Sequence, residues 1–595
     1  MKPNFLLMLR AFAIMCMLTT SSTLLARACV RPVTISCPTV DCDINVVHIA
    51  QSNVGPAGYV ISAPGRYCFI EDITFTPSGP GTATVPVAGI TITSSNVELD
   101  LNNYTFTGPT GVPNVVGIKV ASASLPLTNV IIHGGTIQNF TLAIFVDPVN
   151  NMLLENLWLT NNGKIGALSI GNQNSPSVPP VAPFTVVGGL AVIGTGVPGS
   201  PPSTTQNNII IRNVHANFNG GTTSSSTTYG TLLANVGNVL VENSEFNNNW
   251  SVTSVGRGFA ASQFANLSVI DATAHNNSGI SQGIGFTFVG SRDAAFSQFS
   301  TALYIDRASA NGNYISGVAP LVSPFNVFLA AGFLYANVRG ATTRASEASD
   351  NFTALTGAQL PQRASGFEMY YSTDWLFEHD VANNNTGGTS YGFHLNGQRG
   401  RVYRSQATHV STNPLPGAGF AVETYRNESG AGLTMTSQAL KFEEVYATNY
   451  DYGIRLTDVV WSIIEDSEFI NNNIDGIFLS QTDECGTRRN IIKRNQVIGN
   501  LVWGIEDTSG AFSGLTGPDN AYIDNHAMDN RPLVAPGIPG TTNYNTGVHL
   551  AGADGPGYIA IWTIPGPPPN GPTGLNKITN LDITTITCPV AVEPG

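Results

Sequence analysis

A short phrase recurs along the chain and constrains its fold more than any other feature. It consists of a glycine, an apolar residue, a variable residue and a second apolar residue, and its copies begin at Gly89, Gly117, Gly366, Gly392, Gly419, Gly453, Gly476, Gly504 and Gly547. The apolar residues alternate with a period of two, which predicts a strand with one buried face. From Gly366 to Gly504 the copies lie 23 to 34 residues apart. Each interval is long enough for three short strands and three turns, so it predicts one coil of a solenoid.

A second phrase, rich in asparagine, lies between the glycine phrases. It reads Val-Glu-Asn-Ser-Glu-Phe-Asn-Asn-Asn over residues 241–249 and Ile-Glu-Asp-Ser-Glu-Phe-Ile-Asn-Asn-Asn over residues 464–473. Asparagine tolerates left-handed backbone, and its amide hydrogen-bonds nearby main chain. In stacked coils these residues would lie above one another and bond coil to coil. The two phrases together predict an all-β chain that forms a single right-handed parallel β-helix of about fourteen to sixteen coils.

The first coils resemble those of a known superfamily. Pro64-Gly-Arg-Tyr67 leads into a second coil that contains Asn96-Val-Glu-Leu-Asp100. This opening is similar to that of bacterial right-handed β-helix proteins of the pectin-lyase-like superfamily, and the resemblance extends over residues 59–530. It implies the fold. It implies no single activity, because the superfamily includes lyases, hydrolases, epimerases, adhesins and phage tailspikes.

The chain divides into four predicted segments. Residues 1–28 are a signal peptide, residues 29–58 a disulfide-rich N-terminal cap, residues 59–530 the β-helix, and residues 531–595 a Pro/Gly-rich C-terminal segment and cap. Caps are expected because the end coils of a solenoid would otherwise expose their apolar faces.

The first residues predict export. Lys2 and Arg10 precede an apolar run over residues 11–18, and Ala26 and Ala28 offer the small residues of a cleavage site. The run is too short to cross a bilayer, and no later stretch predicts a transmembrane span. Secretory cleavage is favoured over lipid attachment at Cys29, because the residues before it do not fit a lipidation site. We therefore expect a secreted or surface-associated protein.

The cysteines fit that destination. The chain has seven, and removal of the signal peptide with Cys16 leaves six: Cys29, Cys37, Cys42, Cys68, Cys485 and Cys588. An even number in an exported chain favours disulfides. We favour two bridges among the first four and one between Cys485 and Cys588, although reduced thiols remain the alternative. The spacing of Cys37 and Cys42, without a nearby histidine, does not predict a zinc site.

Composition excludes one class of partner. Only 11% of the residues are charged, and the formal net charge is −13. Nucleic-acid binding requires clustered Lys and Arg to neutralise phosphates. We therefore expect no nucleic-acid partner.

A candidate site follows from stacking the glycine phrases, because equivalent positions on neighbouring coils lie about 4.8 Å apart. The variable position and the residue two further along should then form two rows that face solvent on one face of the helix. Between residues 366 and 457 these rows hold four candidate catalytic residues, Glu368, His394, Glu423 and Arg455. Candidate ligand-binding residues are Tyr370 and Asn396 in the rows and Tyr425 and Arg426 in the turn that follows.

Two functions fit this pattern. The favoured one is a glycan-binding, adhesive or structural β-helix, because long polar and aromatic grooves suit sugar chains. The alternative is a polysaccharide lyase or glycoside hydrolase in which Glu368 or Glu423 acts as acid or base and Arg455 steadies a carboxylate. Neither the acidic cluster of a calcium site nor the paired-Asp motif of the polygalacturonases is present in the sequence. We expect no cofactor and no metal, a polysaccharide or cell-surface glycan as partner, and an oligomeric state that the sequence leaves open.

Overall fold

The computed structural model describes most of the chain between residues 46 and 561. The described ranges are 46–122, 126–164, 166–170, 184–194, 208–221, 227–290, 299–317, 328–353, 362–410, 416–426, 434–482, 487–509, 520–528, 530, 548–550 and 559–561. All belong to one compact unit, Asn45–Gly595. The predicted signal peptide lies outside the described residues, so this segment remains a prediction.

The first sheet contains the glycine phrases and has sixteen strands in the described ranges, paired in parallel from coil to coil. Its strands are Tyr59–Ile61, Val87–Ile92, Val115–Ala121, Leu142–Asp147, Phe184–Ile193, the first halves of Thr227–Glu242 and Val255–Ile270, then Gln282–Val289, Phe328–Ala336, Gln362–Thr373, Thr389–Gln398, Gly417–Glu423, Tyr452–Thr457, Asp475–Ser480, Trp503–Asp507 and Val548–Leu550.

The second sheet follows each glycine phrase after a turn and is also parallel. Its strands are Val47–Ile49, Gly65–Phe69, Val97–Asp100, Leu127–Gln138, Val149–Thr160, Ile209–His215, the second halves of Thr227–Glu242 and Val255–Ile270, then Ser300–Asp306, Val338–Arg344, Leu376–Glu378, Arg401–Tyr403, Lys441–Glu443, Ile463–Glu465, Ile491–Lys493, Ala521–Ile523 and Ile559–Ile561.

The third sheet completes each coil. Its strands are Ile73–Thr74, Thr105–Thr107, the ends of Leu127–Gln138 and Val149–Thr160, then Val381–Asn383, Gln406–Thr408, Tyr446–Thr448, Glu468–Ile470, Gln496–Ile498 and His526–Met528, with single bridges in the middle coils. A short parallel ladder lies between the third sheet and the next glycine phrase: Gly220–Gly221, Trp250–Ser251, Ser278–Gly279, Tyr314–Ile315 and Phe352–Thr353.

Few elements depart from this plan. Leu168–Ile170 pairs antiparallel with Phe184–Ile193, and Tyr425–Arg426 forms a hairpin with Thr434–Met435. A single 3-10 turn, Gln51–Asn53, is the one helical element of the described ranges. No helix among these residues has the length and hydropathy to span a bilayer. The chain is a right-handed parallel β-helix, which confirms the predicted fold class.

The strand register confirms the alignment of the glycine phrases. Phe367 pairs with Phe393, which pairs with Phe420, and the apolar residues of the later copies continue the same row. The first sheet also contains five copies that the sequence analysis missed, at Gly189, Gly230, Gly258, Gly285 and Gly332. The coils therefore continue in the described parts of residues 310–365, which look irregular in sequence.

The core is built from rows of identical or similar side chains. Five stacked rings, with centroids 4.7 to 5.1 Å apart, run up the inside of the first sheet, one in each of five successive coils: Phe286, Phe333, Phe367, Phe393 and Phe420. Each ring covers the one below it, so every coil depends on its neighbours for the burial of its apolar face.

Buried asparagines form the predicted ladder at the corner before the glycine phrase. Asn219, Asn249, Asn277, Asn313 and Asn351 are fully buried. Along this ladder, each side-chain amide donates to the Oδ1 atom of the asparagine in the next coil at 2.8 to 3.1 Å. The same Oδ1 atoms accept the main-chain N–H of the coil before. The ladder thus satisfies buried main-chain donors that no strand pairing reaches.

Parallel pairing also reaches into both predicted end segments. Val47–Ile49, within the predicted cap 29–58, pairs with Gly65–Phe69. Val548–Leu550 and Ile559–Ile561, within the predicted segment 531–595, pair with Trp503–Asp507 of the first sheet and Ala521–Ile523 of the second. Cys68 is buried. The other five candidate cysteines lie outside the described residues, so the disulfide pairing stays a prediction.

The outer face of the first sheet changes character along the solenoid. From Ala88 to Tyr371 its outward side chains form two buried apolar clusters, which include Phe145, Leu232 and Leu334. From Arg363 onward charged and aromatic side chains replace them. The candidate site therefore begins where the apolar cover of this sheet ends.

Candidate functional site

Glycine decides which side chains share the outer face. An ideal Cβ on Gly392 would lie 2.5 Å from the Cβ of Ala407, inside the coil, and 2.6 Å from the main-chain oxygen of Gly419. The glycine thus faces inward, as does the next residue, Phe393, so the residue before the glycine faces outward together with the variable residue. Each coil therefore contributes a third outward position that period-two alternation alone does not predict.

Glu368 is the centre of a buried polar cluster. The side chain is fully buried. Its Oε1 accepts hydrogen bonds from Arg363 Nη1 and His394 Nδ1, both at 2.8 Å, and from the Tyr370 hydroxyl. Ser365 Oγ donates to Oε2 at 2.5 Å. A buried carboxylate with this many donors is stabilised in its ionised form.

His394 lies between Glu368 and Glu423, which are two coils apart. The imidazole is 2% exposed. Its Nε2 lies 3.4 Å from Glu423 Oε2, which is an ion-pair distance but lacks hydrogen-bond geometry. The ring stacks on Tyr391, with centroids 4.7 Å apart and an angle of 26° between the planes. The imidazole is therefore held between two carboxylates and fixed by an aromatic ring.

Arg455 and Glu423 form the outer end of the cluster. Arg455 Nη2 donates to Glu423 Oε1 and, at 3.0 Å, to the Tyr391 hydroxyl. The two side chains are 22% and 28% exposed, in contrast to Glu368. Arg455 Nε is buried without a hydrogen-bond partner. The cluster thus reaches solvent at the ion pair of Arg455 and Glu423.

The charges of this cluster alternate. Burial raises the pKa of Glu368, but the charges of His394 and Arg363 outweigh it and lower the pKa to about 2. Burial likewise opposes ionisation of Glu423, yet the contact with His394 and the charges of His394 and Arg455 set its pKa well below the usual range. For His394, burial and Arg363 lower the pKa, while Glu368 and Glu423 raise it further, for a net increase. Once His394 is protonated, three cations face two anions.

The structure brings the four candidate catalytic residues together, but it corrects the prediction that their row faces solvent. Glu368 and His394 are buried because Arg363, Tyr370 and Tyr391 lie against them on the same face. The catalytic role of these residues stays a prediction.

The candidate ligand-binding residues are placed differently from one another. Tyr370 is 1% exposed, and its hydroxyl donates a hydrogen bond to Glu368. Asn396 is also 1% exposed, and its amide donates to the main-chain oxygens of Glu423 and Met435 at 2.8 and 3.2 Å. It therefore holds the hairpin beside the site, and its amide donors are used by main chain and not by a ligand. Tyr425 and Arg426 form one strand of that hairpin.

The sequence analysis missed three polar members of the cluster and the aromatic rim. Arg363, Ser365 and Tyr391 precede the glycine of their copies, and Tyr452 occupies the equivalent place in a later copy. The position directly before each glycine was the signal that could have identified them. In sequence this position looks like part of a turn, and its outward direction follows only once the glycine is known to face inward. Register places Tyr391, Ala418, Tyr452, Asp475 and Trp503 in one row.

An aromatic rim continues the site toward the C-terminal coils. The Tyr452 ring stacks on Phe478, with centroids 4.8 Å apart and an angle of 19° between the planes. Tyr452, Phe478 and Trp503 are all half-buried, and the Arg455 guanidinium lies 6.0 Å from the Tyr452 ring centroid. Among the described residues no group of three or more His, Cys, Asp or Glu is arranged to hold a metal ion. The accessible part of the site thus consists of a cation and aromatic rings.

Replacing Glu368 by glutamine tests the electrostatics of the cluster. A pKa of about 2 for Glu368, below the ordinary 4.5, means that the carboxylate stabilises the fold above pH 4.5 and that this stabilisation is lost as the pH falls toward 2. The shift corresponds to about 3 kcal/mol. We expect Glu368→Gln to lower the free energy of unfolding by about that amount at neutral pH and to lower the pKa of His394, followed by NMR titration. The exposed Glu468→Gln is the control. An unchanged His394 pKa would contradict the proposed coupling.

No family model matches this sequence, and no curated protein matches it. Solved structures do match this chain. The A-module of mannuronan C-5 epimerase AlgE6 from Azotobacter vinelandii is 13% identical, with a TM-score of 0.30 over 82% of this chain and 90% of that chain. A mannuronic acid specific polysaccharide family 6 lyase from human gut microbiota is 9% identical, with a TM-score of 0.28 over 85% and 90%. The tailspike protein 3 of bacteriophage CBA120 is 12% identical, with a TM-score of 0.20 over 81% and 58%. At these identities and TM-scores the likeness carries no argument about activity.

Proposed function

We propose that this exported β-helix binds a polysaccharide along the outer face of its first sheet, between Arg363 and Glu506. The observation that carries the proposal is Arg455. Its side chain is 22% exposed, and the guanidinium lies beside the half-buried ring of Tyr452. A partly exposed guanidinium beside an aromatic ring suits sugars that carry an anionic group, because the ring packs on the sugar and the guanidinium pairs with the anion.

The buried part of the cluster supports binding by fixing Arg455. Glu423 accepts from its guanidinium and contacts His394, which is fixed in turn by Glu368. A guanidinium held in place before the ligand arrives loses less conformational entropy on binding. With His394 protonated, the cluster has an excess of one positive charge in a chain whose net charge is −13. An anionic ligand is therefore favoured at this point of the face.

Catalysis is the second candidate, and it rests on the line of Glu368, His394 and Glu423. A lyase or hydrolase needs an acid or base with a pKa near the working pH. The pKa of Glu423 is lowered, and burial raises the pKa of the Tyr391 hydroxyl. The lowered pKa makes Glu423 a weak base, and the raised pKa keeps the Tyr391 hydroxyl protonated at neutral pH. Neither group is therefore poised to abstract a proton, and binding fits the cluster better than turnover. Incubation with acidic and neutral polysaccharides, followed by reducing ends and by the absorbance of unsaturated products, separates the two.

Arg455→Gln tests the binding function directly. We expect at least a tenfold loss of affinity for acidic polysaccharides in a binding panel, because the ligand loses both the cation and its donors. The control is Arg404→Gln, which removes a more exposed arginine that is likewise paired with a carboxylate, Glu444, away from this face. Circular dichroism and thermal unfolding of both variants establish that they are folded. Equal affinity of the two variants for every panel member would overturn the proposal.

A further inference from the structure

A pair of carboxyl groups lies on the same face, two coils beyond Glu423. Asp475 is fully buried, and its Oδ1 accepts the main-chain N–H of Trp503 at 3.0 Å. Its Oδ2 is buried and accepts no hydrogen bond, although the carboxyl of Glu506 lies within hydrogen-bonding reach of Asp475. None of the functions considered above uses this pair.

The pair requires a proton. Two ionised carboxylates only accept hydrogen bonds, so neither satisfies the other, whereas one proton between them satisfies both. Burial raises the pKa of Asp475, and the neighbouring Glu506 raises it further, to about 8. The other ionisable groups that face the pair come from the preceding strand and the turn before it: Tyr452, Asp451 and Arg455. At neutral pH the pair thus carries a single negative charge and one O–H donor.

Aromatic rings surround this pair. Register places Asp475 between Tyr452 of the preceding coil and Trp503 of the following coil. It also places Phe478 between Arg455 and Glu506, and Phe478 stacks on Tyr452. Ring faces pack on the apolar faces of sugars, and carboxyl oxygens hydrogen-bond sugar hydroxyls. A negative charge at the same point repels a uronate or a sulfate.

We propose that Asp475 and Glu506 share one proton and form, with Tyr452, Phe478 and Trp503, a subsite for an uncharged sugar unit. Arg455 lies two coil steps from Glu506 in one row, about 10 Å at 4.8 Å per step. One glycan chain therefore reaches both places. The face then selects a heteropolysaccharide in which an uncharged unit follows an anionic one, and this inference rests on the proposed glycan-binding function.

Three polymers test the selectivity: a polyuronate, a neutral glucan and hyaluronan, in which a uronic acid alternates with an uncharged amino sugar. At pH 6 we expect hyaluronan to bind at least tenfold more tightly than either homopolymer. Phe478→Ala should reduce this preference, because it should weaken hyaluronan binding more than polyuronate binding. The subsite for the uncharged unit loses a ring in this variant, whereas Arg455 still pairs with the anionic units of a polyuronate.

The pH dependence identifies the shared proton. As the pH rises through about 8, the pair loses its proton, gains a second negative charge and loses its donor. Hyaluronan affinity should therefore fall about tenfold between pH 7 and pH 9 in the wild-type protein. Asp475→Asn keeps a donor toward Glu506 at every pH, so the pH dependence that comes from the pair should be absent and the profile should be flat relative to that of the wild-type protein. His394 also titrates, but it is the same in both proteins, so its contribution cancels in the comparison.

The outcomes separate this inference from the function on which it rests. Binding of none of the three polymers would overturn both. Polyuronate binding as tight as hyaluronan binding, or a wild-type pH dependence in Asp475→Asn, would overturn the subsite and leave the binding function standing. Preference for hyaluronan together with a flat profile in Asp475→Asn supports the subsite.

Discussion

Gly392→Val is expected to lower the free energy of unfolding by about 3 kcal/mol or more, because it overpacks the interior of a closed coil. A Cβ at this position would lie 2.5 Å from the Cβ of Ala407 and 2.6 Å from the main-chain oxygen of Gly419. The second contact is with backbone of the next coil, which cannot move without disturbing the strand pairing above it. The steric overlap therefore cannot be relieved by moving a flexible side chain, and it displaces the strands of the neighbouring coils.

Gly79→Val is the matched control for this experiment. A Cβ on Gly79 would have no atom within 4 Å. The same substitution there should change the free energy of unfolding by less than about 0.5 kcal/mol, as surface changes usually do. Denaturant unfolding of both variants, followed by circular dichroism, provides the comparison. Equal stability of the two would show that the glycines of the phrase are not required by packing.

The alignment of the coils could be predicted from sequence because the glycine phrase marks the same point in each. Phe367, Phe393 and Phe420 pair in the structure as their phrases align in the sequence. The five central copies were missed for a physical reason. In Gly258-Phe-Ala-Ala and Gly332-Phe-Leu-Tyr the variable residue is itself apolar and is buried in one of the two outer clusters. A strand that is buried on both faces does not show alternation.

The members of the site could be predicted only in part. Glu368, His394, Glu423 and Arg455 follow from register alone. Their burial does not, because it depends on Arg363 and Tyr391. Tyr391 directly precedes the inward-facing Gly392, and Arg363 lies two residues before Ser365, which directly precedes Gly366. The sign of a pKa shift in such a cluster depends on burial and on every neighbouring charge. Neither the burial of a group nor the full set of its neighbouring charges can be obtained from a row of residues in the sequence.

The structural use of Asn396 illustrates the same limit. In sequence it continues a polar row that ends in Glu423 and Thr457, and a polar row suggests a ligand. In the structure its amide hydrogen-bonds the main chain of the hairpin that leaves the coil after Glu423. An asparagine amide can hydrogen-bond the main chain of a loop as well as a sugar. Only the position of the loop shows which of these two partners the asparagine has.

Asn277→Ala is expected to cost about 3 to 5 kcal/mol of the free energy of unfolding. Asn277 Oδ1 accepts the main-chain N–H and the side-chain amide of Asn249 at 3.0 and 3.1 Å, and its own amide donates to Asn313 at 3.0 Å. The substitution leaves two buried donors of Asn249 without partners, each at about 1–3 kcal/mol, whereas Asn313 Oδ1 still accepts the main-chain N–H of residue 277. Hydrogen exchange should show that the Asn249 amide loses its protection.

The exposed asparagine ladder at another corner supplies the control. Asn129 has a φ of 57°, and its amide donates to Asn96 at 2.8 Å on the surface. Asn129→Gly removes that bond while glycine adopts the same left-handed backbone without strain, and water replaces the lost partner. We expect a loss below about 1 kcal/mol. Similar losses in the two variants would mean that stacking of coils, and not the satisfaction of buried main-chain donors, accounts for the asparagines at both corners. A large loss at Asn277 alone would show that the buried ladder supplies hydrogen bonds where the parallel sheets end.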